Sequence, residues 1–161
     1  MKLLELGTKV VDSASATNGM LTHAQIGGDD AIAYLFQPEG INPETGQPVK
    51  EQWIVGSTRI KYGKIIDVDM PLDIMGKQVT DKASGFKGEI IHLTLHISGC
   101  VHALVQAKGI VKKTGALIEP VDFDIRRLSG KCLPALNETE KKKDIKKKPS
   151  PASMPSLTPY G

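Results

Sequence analysis

Aromatic side chains are scarce: one Trp, three Phe and three Tyr among 161 residues. A core must therefore be assembled mainly from Val, Ile and Leu, which suits short strands packed on one another. Cysteine is scarcer still. Cys100 and Cys132 do not make a disulfide framework, and two reduced thiols are expected. No apolar run is long enough to span a bilayer, so no membrane association is expected. The opening Met1-Lys2-Leu3-Leu4-Glu5-Leu6 places charges where a secretory signal needs an apolar run. A strong charge of either sign is also missing. The net +3 comes from the segment after residue 137, where six lysines face three acids, leaving fifteen residues of each sign before it. Only that tail can act as an electrostatic tether.

What the chain does have is glycine at turn-like intervals and an internal repeat. Leu6-Gly7-Thr8-Lys9-Val10-Val11-Asp12-Ser13-Ala14-Ser15 returns as Met75-Gly76-Lys77-Gln78-Val79-Thr80-Asp81-Lys82-Ala83-Ser84, 69 positions later. At the same separation Gly19 meets Gly88, His23 meets His92, Leu35 meets Leu104, Gln37 meets Gln106 and Thr45-Gly46 meets Thr114-Gly115. One deletion then aligns Glu51 with Glu119 and Arg59-Ile60 with Arg127-Leu128. About a quarter of roughly 55 paired positions are identical, mostly at Gly, Asp and apolar sites that a fold requires.

Each copy reads alike. A short strand ends in a polar turn where Asp12 or Asp81 can accept from a nearby backbone N–H. A longer strand follows, clearest in Ile91-His92-Leu93-Thr94-Leu95-His96-Ile97, whose alternation is that of a half-buried strand. A tight turn, a third strand, a glycine-marked loop and a last short strand ending in Arg59-Ile60 or Arg127-Leu128 complete the unit. The expected class is all-β: two tandem SH3-like barrels or meanders of about five strands each, with an irregular C-terminal tail. The expected divisions are a first repeat over 1–62, a connector over 63–74, a second repeat over 75–130 and a Lys/Pro-rich tail over 131–161.

The opening of the second copy, Gly76-x-x-Val79-x-Asp81-x-x-Ser84-Gly85-Phe86-x-Gly88, with Gly99-Cys100 in the following hairpin, resembles short single-domain proteins of tailed bacteriophages and prophages. The resemblance spans about 50 residues and extends loosely to Gly7, Asp12 and Gly19 in the first copy. It implies a phage origin and a small β domain, and it implies no mechanism. The first copy departs from it at Ala16-Thr17, where the second has Gly85-Phe86. Losing a buried aromatic costs about 3–5 kcal/mol unless the space is filled. Trp53 is the expected filler.

Candidate chemistry is thin. His92, His96, Cys100 and His102 are competent metal ligands within a dozen residues. With a hairpin turn of two or four residues, Cys100 and His102 fall on the face opposite the histidines of the longer strand; a turn of three or five reverses this. The expectation is surface histidines and a packed thiol, with no metal and no cofactor. His23 and His92 are expected to pack across strands. Gly27-Gly28-Asp29-Asp30 places acids where a phosphate cradle needs amides and cations, and Cys100 lacks a base and an orienting group. Asp122 and Asp124 alternate with apolar residues as strand edges do. No enzyme is expected.

Arg59 and Arg127 close the copies at matching places and are candidate phosphate or carboxylate contacts, as are Lys141, Lys142, Lys143, Lys146, Lys147 and Lys148 in the tail. With Pro149, Pro151, Pro155 and Pro159 beyond, the tail cannot bury enough apolar surface to order by itself. The leading expectation is a virion component (capsid decoration, neck or tail-associated), assembled in the bacterial host cytoplasm. Rigid β modules and the tail arm would bind neighbouring virion proteins in an oligomeric assembly, with possible nucleic-acid contact through the tail. The alternative is an intracellular phage accessory protein that binds nucleic acid or sequesters a nucleotide-like signal.

Overall fold

A computed structural model describes residues 1–133; the six tail lysines and four tail prolines lie outside the described residues. β1 (Lys2–Leu4) precedes the first copy, which holds β2 (Lys9–Asp12), β3 (Thr17–Gly27), β4 (Ile32–Pro38), β5 (Gln52–Val55) and β6 (Ile60–Lys61). β7 (Ile65–Asp67) and a 3-10 turn over Leu72–Ile74 lead to the second copy. There β8 (Gln78–Asp81), β9 (Lys87–His96), β10 (Val101–Gln106), β11 (Val121–Asp124) and β12 (Leu128–Ser129) follow in the same order.

The all-β class holds. Each copy is an antiparallel five-stranded meander whose last strand returns to pair with its first, β6 with β2 and β12 with β8. Neither closes into a barrel, because no ladder joins β5 to β6 or β11 to β12 among the described residues. Nor are the copies separate units. β3 and β9 pair antiparallel, making one ten-stranded sheet, and a single buried cluster draws on both. The connector belongs to the fold as well: β7 pairs with β1, and Met70 and Ile74 join Leu3 and Leu4 in the core.

The β3–β9 register is its own mirror. His23 faces His96 and Gly27 faces His92, while Gln25 faces Thr94, its counterpart 69 positions on. The copies are thus related across this ladder by a pseudo-two-fold centred on Gln25 and Thr94, the arrangement of an isologous dimer written into one chain.

Both long strands bulge at equivalent places. Leu21 and His23 face Phe36 and Leu35, leaving Thr22 extra; Ile90 and His92 face Val105 and Leu104, leaving Ile91 extra. A bulge shifts the inward parity. Gly19, Leu21, Ala24 and Ile26 are buried in one copy, and Gly88, Ile90 and Leu93 in the other. The simple alternation read through Ile91 therefore breaks there, and Ile90 takes the core position. Gly19 and Gly88 are required where the bent strand crosses its neighbour: a Cβ on either would lie 2.4 Å from the carbonyl oxygen of Gln37 or Gln106.

The cores are filled by exchange. Tyr34 faces Ile54 in the first copy, where Ala103 faces Phe123 in the second, so the large ring changes strands. Phe86 packs on Phe123, with ring centroids 5.7 Å apart. The first copy has no such pair and instead buries Phe36, at the place of Val105, against Gly19. Trp53 does not fill that space. It stands on β5 opposite Leu35 and is 47% exposed. The separation of 69 also persists further than the sequence suggested. Gln37 donates to the Val49 carbonyl and Gln106 to that of Ile118, so the deletion falls after β5, between Val55 and Arg59.

One ion pair closes each copy. Asp12, inaccessible to solvent, receives Arg59 Nε at 2.9 Å and Nη2 at 2.7 Å; Asp81, equally buried, receives Arg127 Nε at 3.0 Å and Nη2 at 2.8 Å. The carboxylates also accept from the turn residues that follow them: Ala14 N and Ser15 Oγ on Asp12, Ser84 N and Oγ on Asp81. These bonds, the arginine's first and the serine's next, hold both carboxyls well below the usual aspartate range.

Two outcomes are expected. A carboxyl whose folded pKa is lowered contributes stability that is present above its unfolded value near pH 4 and lost as pH falls below it. Urea midpoints should therefore drop between pH 5 and pH 3, and the drop should shrink in Asp12→Asn and Asp81→Asn. Ala16 sits at φ 55°, where the second copy has Gly85 at φ 76°. Ala16→Gly should stabilise the chain by about 0.5–1 kcal/mol, because relief of left-handed strain outweighs the added unfolded-state freedom. Urea unfolding at neutral pH measures it.

Candidate functional site

The turn between β9 and β10 decides where the histidines go. His96 N donates to Cys100 O at 2.9 Å, so the loop is Ile97-Ser98-Gly99, three residues, with Gly99 at φ 86°. This is the three-residue hairpin with a left-handed last residue. Even numbers then face even numbers: His102 stands opposite Thr94 and shares the face of His96. Of the turn lengths the sequence left open, the three-residue one is found, and it places His102 with His96 instead of on the opposite face.

A polar row results across four neighbouring strands. His23 on β3 meets His96 on β9 edge-on, with ring centroids 4.3 Å apart. His96 meets His102 on β10 at 4.2 Å. His102 Nδ1 meets Asp122 Oδ2 on β11 at 2.5 Å. One ligand atom from each of His96, His102 and Asp122 lies within 4.8 Å of the others. At the near end, Thr22 Oγ1 lies 2.8 Å from His23 Nδ1 and fixes that ring. At the far end, Arg126 clamps Asp124, with Nη2 2.6 Å from Oδ2, and lowers its carboxyl to about 2.

Burial lowers the pKa of His96, and the neighbouring His102 and His23 lower it further. The fold thus favours the neutral ring, which is the form that can donate a lone pair. Cys100 stays outside the row, partly buried, with Arg126 Nη2 3.9 Å from its sulfur. His92, expected to match His23, does so in position but not in contacts. It faces Gly27 instead of a second imidazole, and its Nδ1 is buried without a hydrogen-bond partner.

Arg59 and Arg127, the candidate phosphate contacts, each turn Nε and Nη2 onto an internal aspartate, and Arg127 also lies over the Phe123 ring at 5.2 Å. Their first role is structural. Sequence reasoning missed Asp122 and the His23–His96 contact. The first depends on the length of one turn and the second on pairing between copies, neither of which a linear pattern shows. An open cleft of about 450 Å3 beside β8 is lined by Lys77, Lys87, Lys131, Thr80 and Cys132 among others, with neither a carboxylate nor a histidine in its wall.

Comparison with protein-family models, with curated proteins and with solved structures finds no match.

An NMR titration of the His96 ring should show a midpoint below the ordinary histidine value. His102→Gln, which removes one neighbouring charge, should move it upward.

Proposed function

We propose that this chain is a non-enzymatic structural and interaction protein, a component of a bacteriophage particle that binds neighbouring protein subunits. The observation that carries the reading is a pair of equivalent, ordered arms. Between β4 and β5 the chain folds on itself through an Ile41–Pro48 bridge, and between β10 and β11 through Ile110–Leu117. Matching bonds hold them: Asn42 N to Gln47 O and Val111 N to Ala116 O, each 2.8 Å. A glutamine side chain anchors each base, Gln37 on Val49 O at 2.6 Å and Gln106 on Ile118 O at 2.5 Å.

At the same place on each arm an isoleucine faces solvent, Ile41 68% exposed and Ile110 57%. Leu117 adds a third apolar side chain at 75%. Two preordered loops presenting matched exposed isoleucines suit binding to protein, since little ordering entropy remains to be lost. Each copy is read as an opened SH3-like module, and the lysine-rich tail as an arm to neighbouring subunits or packaged DNA, in a particle assembled in the host cytoplasm. The phage-type opening of the second copy supports the same reading.

The test is quantitative mass spectrometry of purified particles of the encoding phage. The wild-type chain should be present at a reproducible stoichiometry. The double variant Ile41→Asp/Ile110→Asp should keep its melting temperature and be depleted from particles at least tenfold. Absence of the wild type from particles, with abundant protein in the infected cell, overturns the proposal.

A further inference from the structure

We propose that His96, His102 and Asp122 form a binding site for one divalent transition-metal ion of the zinc, cobalt or nickel class. Two imidazoles and one carboxylate are a donor set that such ions take, with a fourth position left open to solvent or to a further donor. The donor atoms lie within 4.8 Å of one another, and ligands on one ion of this size sit about 3–3.5 Å apart, a distance set by metal–ligand bonds near 2.0–2.2 Å. Small rotations of His102 and of the half-exposed Asp122 side chain would close the gap.

The second support comes from the repeat. At the equivalent positions of the first copy stand Gly27, Ala33 and Trp53. The same strands, register and bulge form there without a single ligand, so the fold has no need of His96, His102 or Asp122. Three donors replace a glycine, an alanine and a tryptophan, and all three converge on one spot. The aspartate–arginine pairs that close each copy are kept in both, whereas this polar cluster stands in the second copy alone.

His23 makes the site a junction feature. Its ring, held by Thr22, packs on the edge of His96 from the other copy, so it would fix the orientation of a ligating imidazole. This assignment is independent of where the protein works.

The experiment is calorimetric titration of the chelator-treated full-length chain with Zn2+, repeated with Co2+ while its d–d absorption is recorded. One ion per chain is expected, with a cobalt band of imidazole–carboxylate type and no thiolate-to-metal charge-transfer band. Asp122→Asn alters an exposed side chain and should fold normally; it and His96→Gln should each weaken binding at least tenfold. Cys100→Ser/Cys132→Ser should bind as the wild type does. Absence of binding overturns the proposal. So does binding that Asp122→Asn and His96→Gln leave unchanged, or that the double serine variant abolishes, because either places the ion elsewhere.

Discussion

Everything else in each copy hangs on one ion pair built on a buried aspartate and a half-exposed arginine, Asp12 with Arg59 and Asp81 with Arg127. The aspartate ends the first strand of a copy, and the arginine immediately precedes its last, 47 residues later in one copy and 46 in the other. Joining them brings the end of the meander back to its beginning. The backbone follows: Ser13 N donates to Arg59 O at 2.8 Å and Lys82 N to Arg127 O at 2.9 Å. The arginine adds modest net stability where it is half exposed, but leaving the buried carboxylate without its partner is costly. Its effect here is to specify. Any other pairing of the last strand would strand a desolvated carboxylate, so the open meander has one register.

The second constraint is the junction. A small sheet unit has exposed edges and too little core to stand alone. Pairing β3 with β9 covers the free half of both long strands and merges the two cores. The pseudo-two-fold so formed is obeyed by the glycines, the bulges, the clasps and the arms. It fails in the core at Tyr34/Ala103, Ile54/Phe123 and Phe36/Val105, and on the polar face at Gly27/His96, Ala33/His102 and Trp53/Asp122. The core changes move rings between strands, whereas the three polar changes converge on one spot of the second copy.

Much of this was legible in the sequence. Repeated Gly, Asp and Arg positions marked the unit, its strand order and even its turn glycines, because those residues answer local demands of the backbone. The partnership of Asp12 with Arg59 was not, since both looked like independent surface features until the strand between them folded back. The histidine row depended on whether a turn held two residues or three, and the His23–His96 contact on pairing between copies. Trp53 misled for a related reason. A missing aromatic was sought at the nearest available ring, whereas the space had been filled by Phe36 and by moving a ring from β11 to β4.

The two copies form one sheet, joined about Gln25 and Thr94. The most direct measurement is a nuclear Overhauser spectrum of the isotope-labelled chain. Contacts linking residues 23–27 to residues 92–96 in antiparallel order, with slow amide exchange along both segments, are the predicted result. Independent domains would give no contacts between these segments and rapid exchange at the edges of β3 and β9, and that outcome would rule out the shared sheet.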